Sequence, residues 1–138
     1  LKKTLLTLHD QATVVLVDGG DVIVNAAAAQ YVRVYNTVDR PIVMGVEALC
    51  SFEASRCGLW GPNPMGFPYR WPNAGFIMGN VQWLQRLVDW CLQQEPGKSL
   101  STTLGQALLQ PMWKQAVHLD YGLRFVQHLS PQTALPPG

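Results

Sequence analysis

An apolar run, Ala12-Thr-Val-Val-Leu-Val17, ends abruptly in Asp18-Gly-Gly-Asp21. Its length and β-branched content predict a strand buried on both faces, the kind found inside a parallel sheet. Such a strand needs neighbours and covering helices, which points to a layered α/β design. Both carboxylates arrive at the C-terminal end of the strand, the edge at which open α/β sheets bind ligands. Two carboxylates this close repel each other unless a cation lies between them. Mg²⁺ or Mn²⁺ takes oxygen ligands and leaves positions open for phosphate. Gly19 and Gly20 allow a tight turn and the close approach of a ligand. A plain polar turn, with Asp18 capping the next few residues, accounts for the same pattern, because D-x-x-D is short.

The rest of the chain alternates strand and helix signals. Residues 1–8 have an amphipathic look, with Leu5, Leu6 and Leu8 apolar, and residues 22–24 read as a short extended piece. Residues 26–36 read as a helix with Ala27, Tyr31 and Val34 on one face, and 42–46 as a second buried strand. Residues 48–72 carry Pro62, Pro64, Pro68 and Pro72 with Gly58, Gly61 and Gly66, so they form a loop long enough to suggest function. Residues 73–79 open another ordered element. Val81, Leu84, Val88 and Cys91 recur at helical spacing and predict a helix over 80–92. A further helix is predicted over 101–113, with Ser101 or Thr102 as its cap. Residues 116–119 and 123–126 read as short strands flanking Asp120-Tyr-Gly122. Pro131, Pro136 and Pro137 mark 130–138 as a frayed tail or linker. Residues 1–129 are therefore expected to form one α/β domain; 138 residues bury roughly two-thirds of the unfolded surface.

Composition narrows the function classes. The net charge is +1 and only Lys2 and Lys3 stand adjacent, which argues against nucleic acid as a partner. Charged residues make up 14%, against the roughly 25% usual for soluble proteins, so much of the surface is uncharged polar or is covered by something else. The longest uncharged stretches, 71–85 and 99–113, fall short of the ~20 apolar residues a membrane-spanning helix needs. The opening Leu-Lys-Lys lacks an initiator Met and leads into no signal peptide, as expected of a processed or truncated piece. Cys50, Cys57 and Cys91 are an odd set without C-x-x-C spacing; a Cys50–Cys57 disulfide and a free buried thiol are both open.

Four more features can carry chemistry. In Trp71-Pro-Asn73-Ala74-Gly75-Phe-Ile-Met-Gly79, small residues let backbone pass close to a ligand, and Asn73 offers a donor and an acceptor. Taken alone, they are explained more readily by a tight strand or helix entry packed on the core. Glu47 follows the second strand at a carboxyl end; it can accept hydrogen bonds from a sugar hydroxyl or orient a base, or be an ordinary loop carboxylate. Asp120 follows a strand as another edge carboxylate, whereas His118 reads as a satisfied core histidine. Trp60, Phe67, Tyr69 and Trp71 crowd the long loop, where aromatic faces stack on sugar rings or simply pin the chain.

The order of these features resembles the glycosyltransferase domain of the procollagen-lysine hydroxylases, the collagen lysine hydroxylase and glycosyltransferase enzymes. The family's motifs run V-D-x-x-D-V-I, A-E-x-x-C-W-P, Y-L-N-S-G-x-x-x-G, an acidic D-D-Q segment, and L-D-H-x-x-x-I-F-Q. Here they stand as Val17-Asp-Gly-Gly-Asp-Val-Ile23, Val46-Glu-Ala-Leu-Cys50-Ser-Phe52, Arg70-Trp-Pro-Asn-Ala-Gly-Phe-Ile-Met-Gly79 and Leu119-Asp-Tyr-Gly-Leu-Arg-Phe-Val-Gln127. The resemblance covers about residues 5–129. It implies a GT-A-like, Rossmann-like α/β domain that binds a UDP-sugar through Mn²⁺ and transfers galactose or glucose to a hydroxylysine-type or glycan acceptor. It further implies Asp18, Asp21 and Asp120 as metal ligands. Gly19, Gly20, Ala74 and Gly75 are implied to lie against the donor, and Glu47 and Asn73 to be catalytic. The same resemblance implies a larger multidomain chain in the endoplasmic reticulum lumen.

The chain departs from that pattern at several points. Tyr121 stands where the family has a metal-binding His, and a phenol, with a pKa of about 10, is a poorer Mn²⁺ ligand than imidazole at neutral pH. The segment Ser101-Thr-Thr-Leu-Gly-Gln106 has no carboxylate before its Gln, and Ser51-Phe52 replaces Trp-Pro. The family's nucleotide-binding first strand and helix have no counterpart before Asp18, so the expected domain is incomplete at its N-terminus. The alternative expectation is a catalytically inactive module with a structural or dimerisation role beside a lysyl hydroxylase domain.

Overall fold

The computed structural model describes residues 1–19, 23–51, 54–94 and 97–127, apart from the side chain of Ser101. Gly20, Asp21 and the 130–138 tail lie outside the described residues. The order of elements is α1 (Lys2–Leu5), β1 (Thr13–Val17), α2 (Ala28–Tyr35), β2 (Ile42–Glu47), α3 (Ala54–Cys57), β3 (Trp71–Asn80), α4 (Val81–Leu92), α5 (Leu100–Leu108), α6 (Pro111–Ala116) and β4 (Val117–Leu119). The chain is a mixed α/β domain around one four-stranded sheet, in the order β1-β3-β2-β4. β3 is antiparallel to both β1 and β2, and β2 is parallel to β4. Among the described residues no helix is long and apolar enough to cross a membrane.

Alternation along the strands divides the core into two. Ile42, Met44 and Ile77 face one side, where they pack with Leu84 and Leu87 of α4, Leu104 and Leu108 of α5, and Trp113 of α6. Val43, Phe76 and Met78 face the other, under Tyr31, Val34 and Tyr35 of α2 and Phe125. Residues i and i+2 share a face because successive Cβ atoms alternate. β2 is buried along almost its whole length, which is why it reads as a continuous apolar run. Gly79 has a steric role: a Cβ there would lie 2.8 Å from the Pro41 carbonyl oxygen.

β1 corrects its expectation. It is an antiparallel edge strand, not a member of a parallel pair. Val14 and Leu16 pack on the larger core cluster, whereas Val15 and Val17 remain 40% and 41% exposed. The apolar run reads as doubly buried, but only its inner face packs on the core, and that face is partly buried.

Two helix expectations are refined. The 101–113 signal is split, because Pro111 lacks an N–H and starts a new helix at N1. The cap of α5 is Ser99, whose hydroxyl accepts from the Thr102 N–H at 3.1 Å. The helix predicted at 80–92 is present, with Asn80 Oδ1 accepting from the Gln82 N–H at 2.9 Å. Residues 123–126 form no strand, for a reason that belongs to Asp120.

Candidate functional site

β1, β2 and β4 run the same way and β3 runs against them. The C-terminal ends of three strands and the N-terminal end of β3 therefore meet at one edge. Asp18, Glu47, Asp120 and the 73–75 segment all fall there.

The edge is shaped by a break in register. Met44 pairs with Ile77, but the next residue, Gly45, pairs with Asn73, so residues 74–76 are bulged from the β2 ladder. Bulges re-aim backbone at sites of this kind. Asn73 Oδ1 accepts from the Gly75 N–H at 2.6 Å and closes the bulge into a small turn. The Gly75 carbonyl then accepts from the Asp18 N–H at 3.2 Å. The structure thus brings Asp18 together with Asn73, Ala74 and Gly75. Asp18 and Gly19 are exposed, Asn73 and Ala74 are half-buried, and Gly75 is buried.

Glu47 ends β2 opposite Trp71, and its carbonyl accepts from the Arg70 N–H at 3.1 Å. Its carboxylate accepts from Ser51 Oγ at 2.6 Å. Cys50 and Cys57 form a disulfide that closes the loop beyond Ser51, and Cys91 is free. The Cys57 carbonyl accepts from Trp71 Nε1 at 3.1 Å and Arg70 Nη2 at 3.4 Å. The Arg70 guanidinium lies 4.4 Å from the centre of the Trp71 ring, within cation–π range.

Asp120 is placed differently. It lies at the end of β4, three strand spacings from β1, about 14 Å at ~4.8 Å per spacing. It is fully buried. Its Oδ1 accepts from the Arg124 N–H at 2.8 Å, and its Oδ2 from the Phe125 N–H at 2.8 Å and the Val126 N–H at 3.2 Å. Those are the donors that a strand over 123–126 would offer to a ladder. Tyr121, beside it, is half-buried, and burial pushes its phenol above the ordinary value of 10.0. Among the described residues no group of three His, Cys, Asp or Glu is close enough to share a metal ion.

Two residues of this edge carry no sequence signal of their own. Asn63 is buried between two prolines, and its Nδ2 donates to the Tyr69 carbonyl at 2.6 Å and the Tyr121 carbonyl at 3.1 Å. It pins the aromatic loop to the turn after β4. Only its position, an amide flanked by Pro62 and Pro64, hints at such a role. Ser51 is the other, and its one hint is its place four residues after Glu47. The loop aromatics divide: Tyr69 is buried, Trp60 packs on the larger core cluster, and Phe67 is 45% exposed. A shallow depression of about 350 Å³, lined by Tyr35, Asp39 and Arg40 among others, lies at the opposite end of β2, away from the carboxylates.

His118 responds to pH without being part of the edge chemistry. Burial pushes its pKa below 6.5, Asp120 pulls it back up, and Arg40 and Arg124 push it further down. The unfolded chain therefore binds a proton near pH 6.5 that the folded chain refuses. His118 favours the fold fully above that value, and the advantage is lost as pH falls below it. The urea midpoint is expected to drop between pH 7 and pH 5.5, and His118→Gln is expected to flatten that drop. An unchanged slope in the variant would show that another group carries it.

No family model matches the chain, and no curated protein matches it.

Proposed function

We propose that this domain is a Mn²⁺-dependent, GT-A-like glycosyltransferase that moves galactose or glucose from a UDP-sugar to a hydroxylysine-type or glycan acceptor. The observation that carries the reading is the junction at the sheet edge, where the Asp18 N–H is bonded to the carbonyl of a bulge held closed by Asn73. An exposed carboxylate stands beside backbone with little side-chain bulk, which suits a diphosphate and its counter-ion. The motif resemblance, in its order along the chain, supports the same reading.

The donor chemistry fits a hard cation, since the candidate ligands are carboxylate oxygens. Asp18 and Asp21 are the residues that would hold Mn²⁺, and the ion would supply charge neutralisation of the leaving UDP. Asn73, Ala74 and Gly75 line the donor side and leave it room. Glu47, oriented by Ser51, accepts a hydrogen bond from a sugar hydroxyl. Asp120 serves the edge by holding the 121–126 segment in place. A secretory-pathway setting is part of this proposal and accords with a disulfide.

A specific observation favours a second reading. Asp120 is occupied by backbone and the Tyr121 phenol is held protonated, so the β4 side offers no ready metal ligand. On that reading the domain is an inactive glycosyltransferase-like module that scaffolds or dimerises beside a lysyl hydroxylase domain. Calorimetric titration of UDP with and without Mn²⁺ tests the proposal. Binding is expected only with Mn²⁺, followed by slow turnover of a UDP-sugar. Equal affinity in both conditions would sink the metal assignment. Binding without turnover would favour the inactive module.

A further inference from the structure

The loop between Cys50 and Cys57 is tied to the candidate edge at both ends. At its start, Ser51 Oγ donates to Glu47 Oε1 at 2.6 Å. At its end, the Cys57 carbonyl is shared by Trp71 Nε1 and Arg70 Nη2. Between them, Arg70 N–H donates to the Glu47 carbonyl. A third tie comes from α5, where the Gln106 amide oxygen, in the orientation that satisfies both of its ends, accepts from Arg56 Nη1 at 2.7 Å and Lys98 Nζ at 3.2 Å. The disulfide is what closes this ring of contacts, and both cysteines are only partly buried.

We propose that the Cys50–Cys57 loop is a redox-sensitive clasp that positions Glu47, through Ser51, and the first residues of β3 at the ligand edge. The link to ligand affinity rests on the donor-site reading above; the clasp itself does not. A dithiol opens it by thiol–disulfide exchange: the S–S bond breaks, Cys50 and Cys57 each gain a proton and one electron, and the dithiol closes to its own disulfide. Without the covalent closure, the Ser51 hydroxyl bonded to Glu47 and the Cys57 carbonyl shared by Trp71 and Arg70 rest on hydrogen bonds for which water also competes. Ser51 is a positioning residue in this scheme, since it acts through Glu47.

The test compares the oxidised full chain with the same chain reduced by dithiothreitol and alkylated. Cys91 is half-buried and burial pushes its thiol up to about 11, which slows its alkylation, and Cys91→Ser in both samples removes it from the comparison. Residue-resolved hydrogen exchange is expected to speed at least tenfold at the Arg70 amide and across 49–51 and 54–58, with residues 42–44 and 77–79 unchanged. Affinity for UDP with Mn²⁺ is expected to fall about tenfold on reduction. Ser51→Ala is expected to lower affinity similarly while leaving exchange at Arg70 unchanged, and Ser51→Thr to restore it. Unchanged exchange at Arg70, 49–51 and 54–58 would overturn the clasp, as would a uniform rise through the core strands. If neither form binds UDP and the local exchange difference persists, the clasp stands and the donor-site reading fails.

Discussion

Asp120→Ala is expected to destabilise the fold by about 3–5 kcal/mol, because hydrogen bonds to a charged group contribute roughly 1.5–3 kcal/mol each and buried donors left unpaired cost more. The carboxylate is fully buried and satisfies three consecutive backbone N–H groups. Alanine would strand the buried Phe125 N–H and leave the part-buried Arg124 and Val126 N–H groups to water, where the chain packs Phe125 against Phe76 with ring centres 6.1 Å apart. The turn it holds is strained: Leu123 sits at a φ of 53°, a left-handed conformation that costs a residue with a Cβ about 1–2 kcal/mol. Remove the anchor and that strain has no opposing gain. Asp120→Asn keeps one acceptor oxygen but turns an amide N–H₂ toward backbone donors, so it should fall between the wild type and alanine. Urea unfolding of the three proteins measures this directly. A cost below about 1 kcal/mol for alanine would mean that the backbone knot contributes little to the fold.

Asp120 is legible in the sequence as an edge carboxylate because it follows a short strand, and its position at the edge is as expected. What the local sequence does not reveal is occupancy. Whether a carboxylate faces solvent or gathers N–H groups depends on where the next six residues turn. The same limit applies to β1. Its strand character is plain in residues 12–17, but its partner, β3, lies some sixty residues away, and its edge position follows from that pairing. Features with local causes are legible: the periodic helix that is α4, the buried strand that is β2, and most of the loop rich in Pro and Gly, although α3 and the first residues of β3 fall inside its expected 48–72 bounds. Pro111 is a local signal of a helix start within the predicted 101–113 helix. Ser51 and Asn63 are hidden because polar residues in loops carry no pattern; their roles come from carboxylates and carbonyls brought near by the fold.

Asp18→Ala should behave in the opposite way, with little effect on folding and a large effect on ligand binding. The Asp18 side chain is exposed, and among the described residues no hydrogen bond to its carboxylate forms. Its contribution to the sheet is the backbone N–H bonded to the Gly75 carbonyl, which alanine retains. Surface changes of this kind usually move stability by no more than about 0.5 kcal/mol. Yet the residue lies at a junction where an acidic side chain meets small-residue backbone. If it holds the ion that neutralises a diphosphate, its loss should weaken Mn²⁺-dependent UDP binding at least about 100-fold, or some 2.7 kcal/mol at 1.36 kcal/mol per decade. Asp18→Asn, which keeps the shape but not the charge, should lose nearly as much, since a hard cation needs the anionic oxygen. Calorimetry with and without Mn²⁺, paired with urea unfolding, separates the two effects in each variant. Normal UDP binding by Asp18→Ala would remove the metal from this edge. A loss of binding matched by a loss of stability would make Asp18 part of the scaffold, as Asp120 is, leaving the edge without a ligand-facing carboxylate on β1.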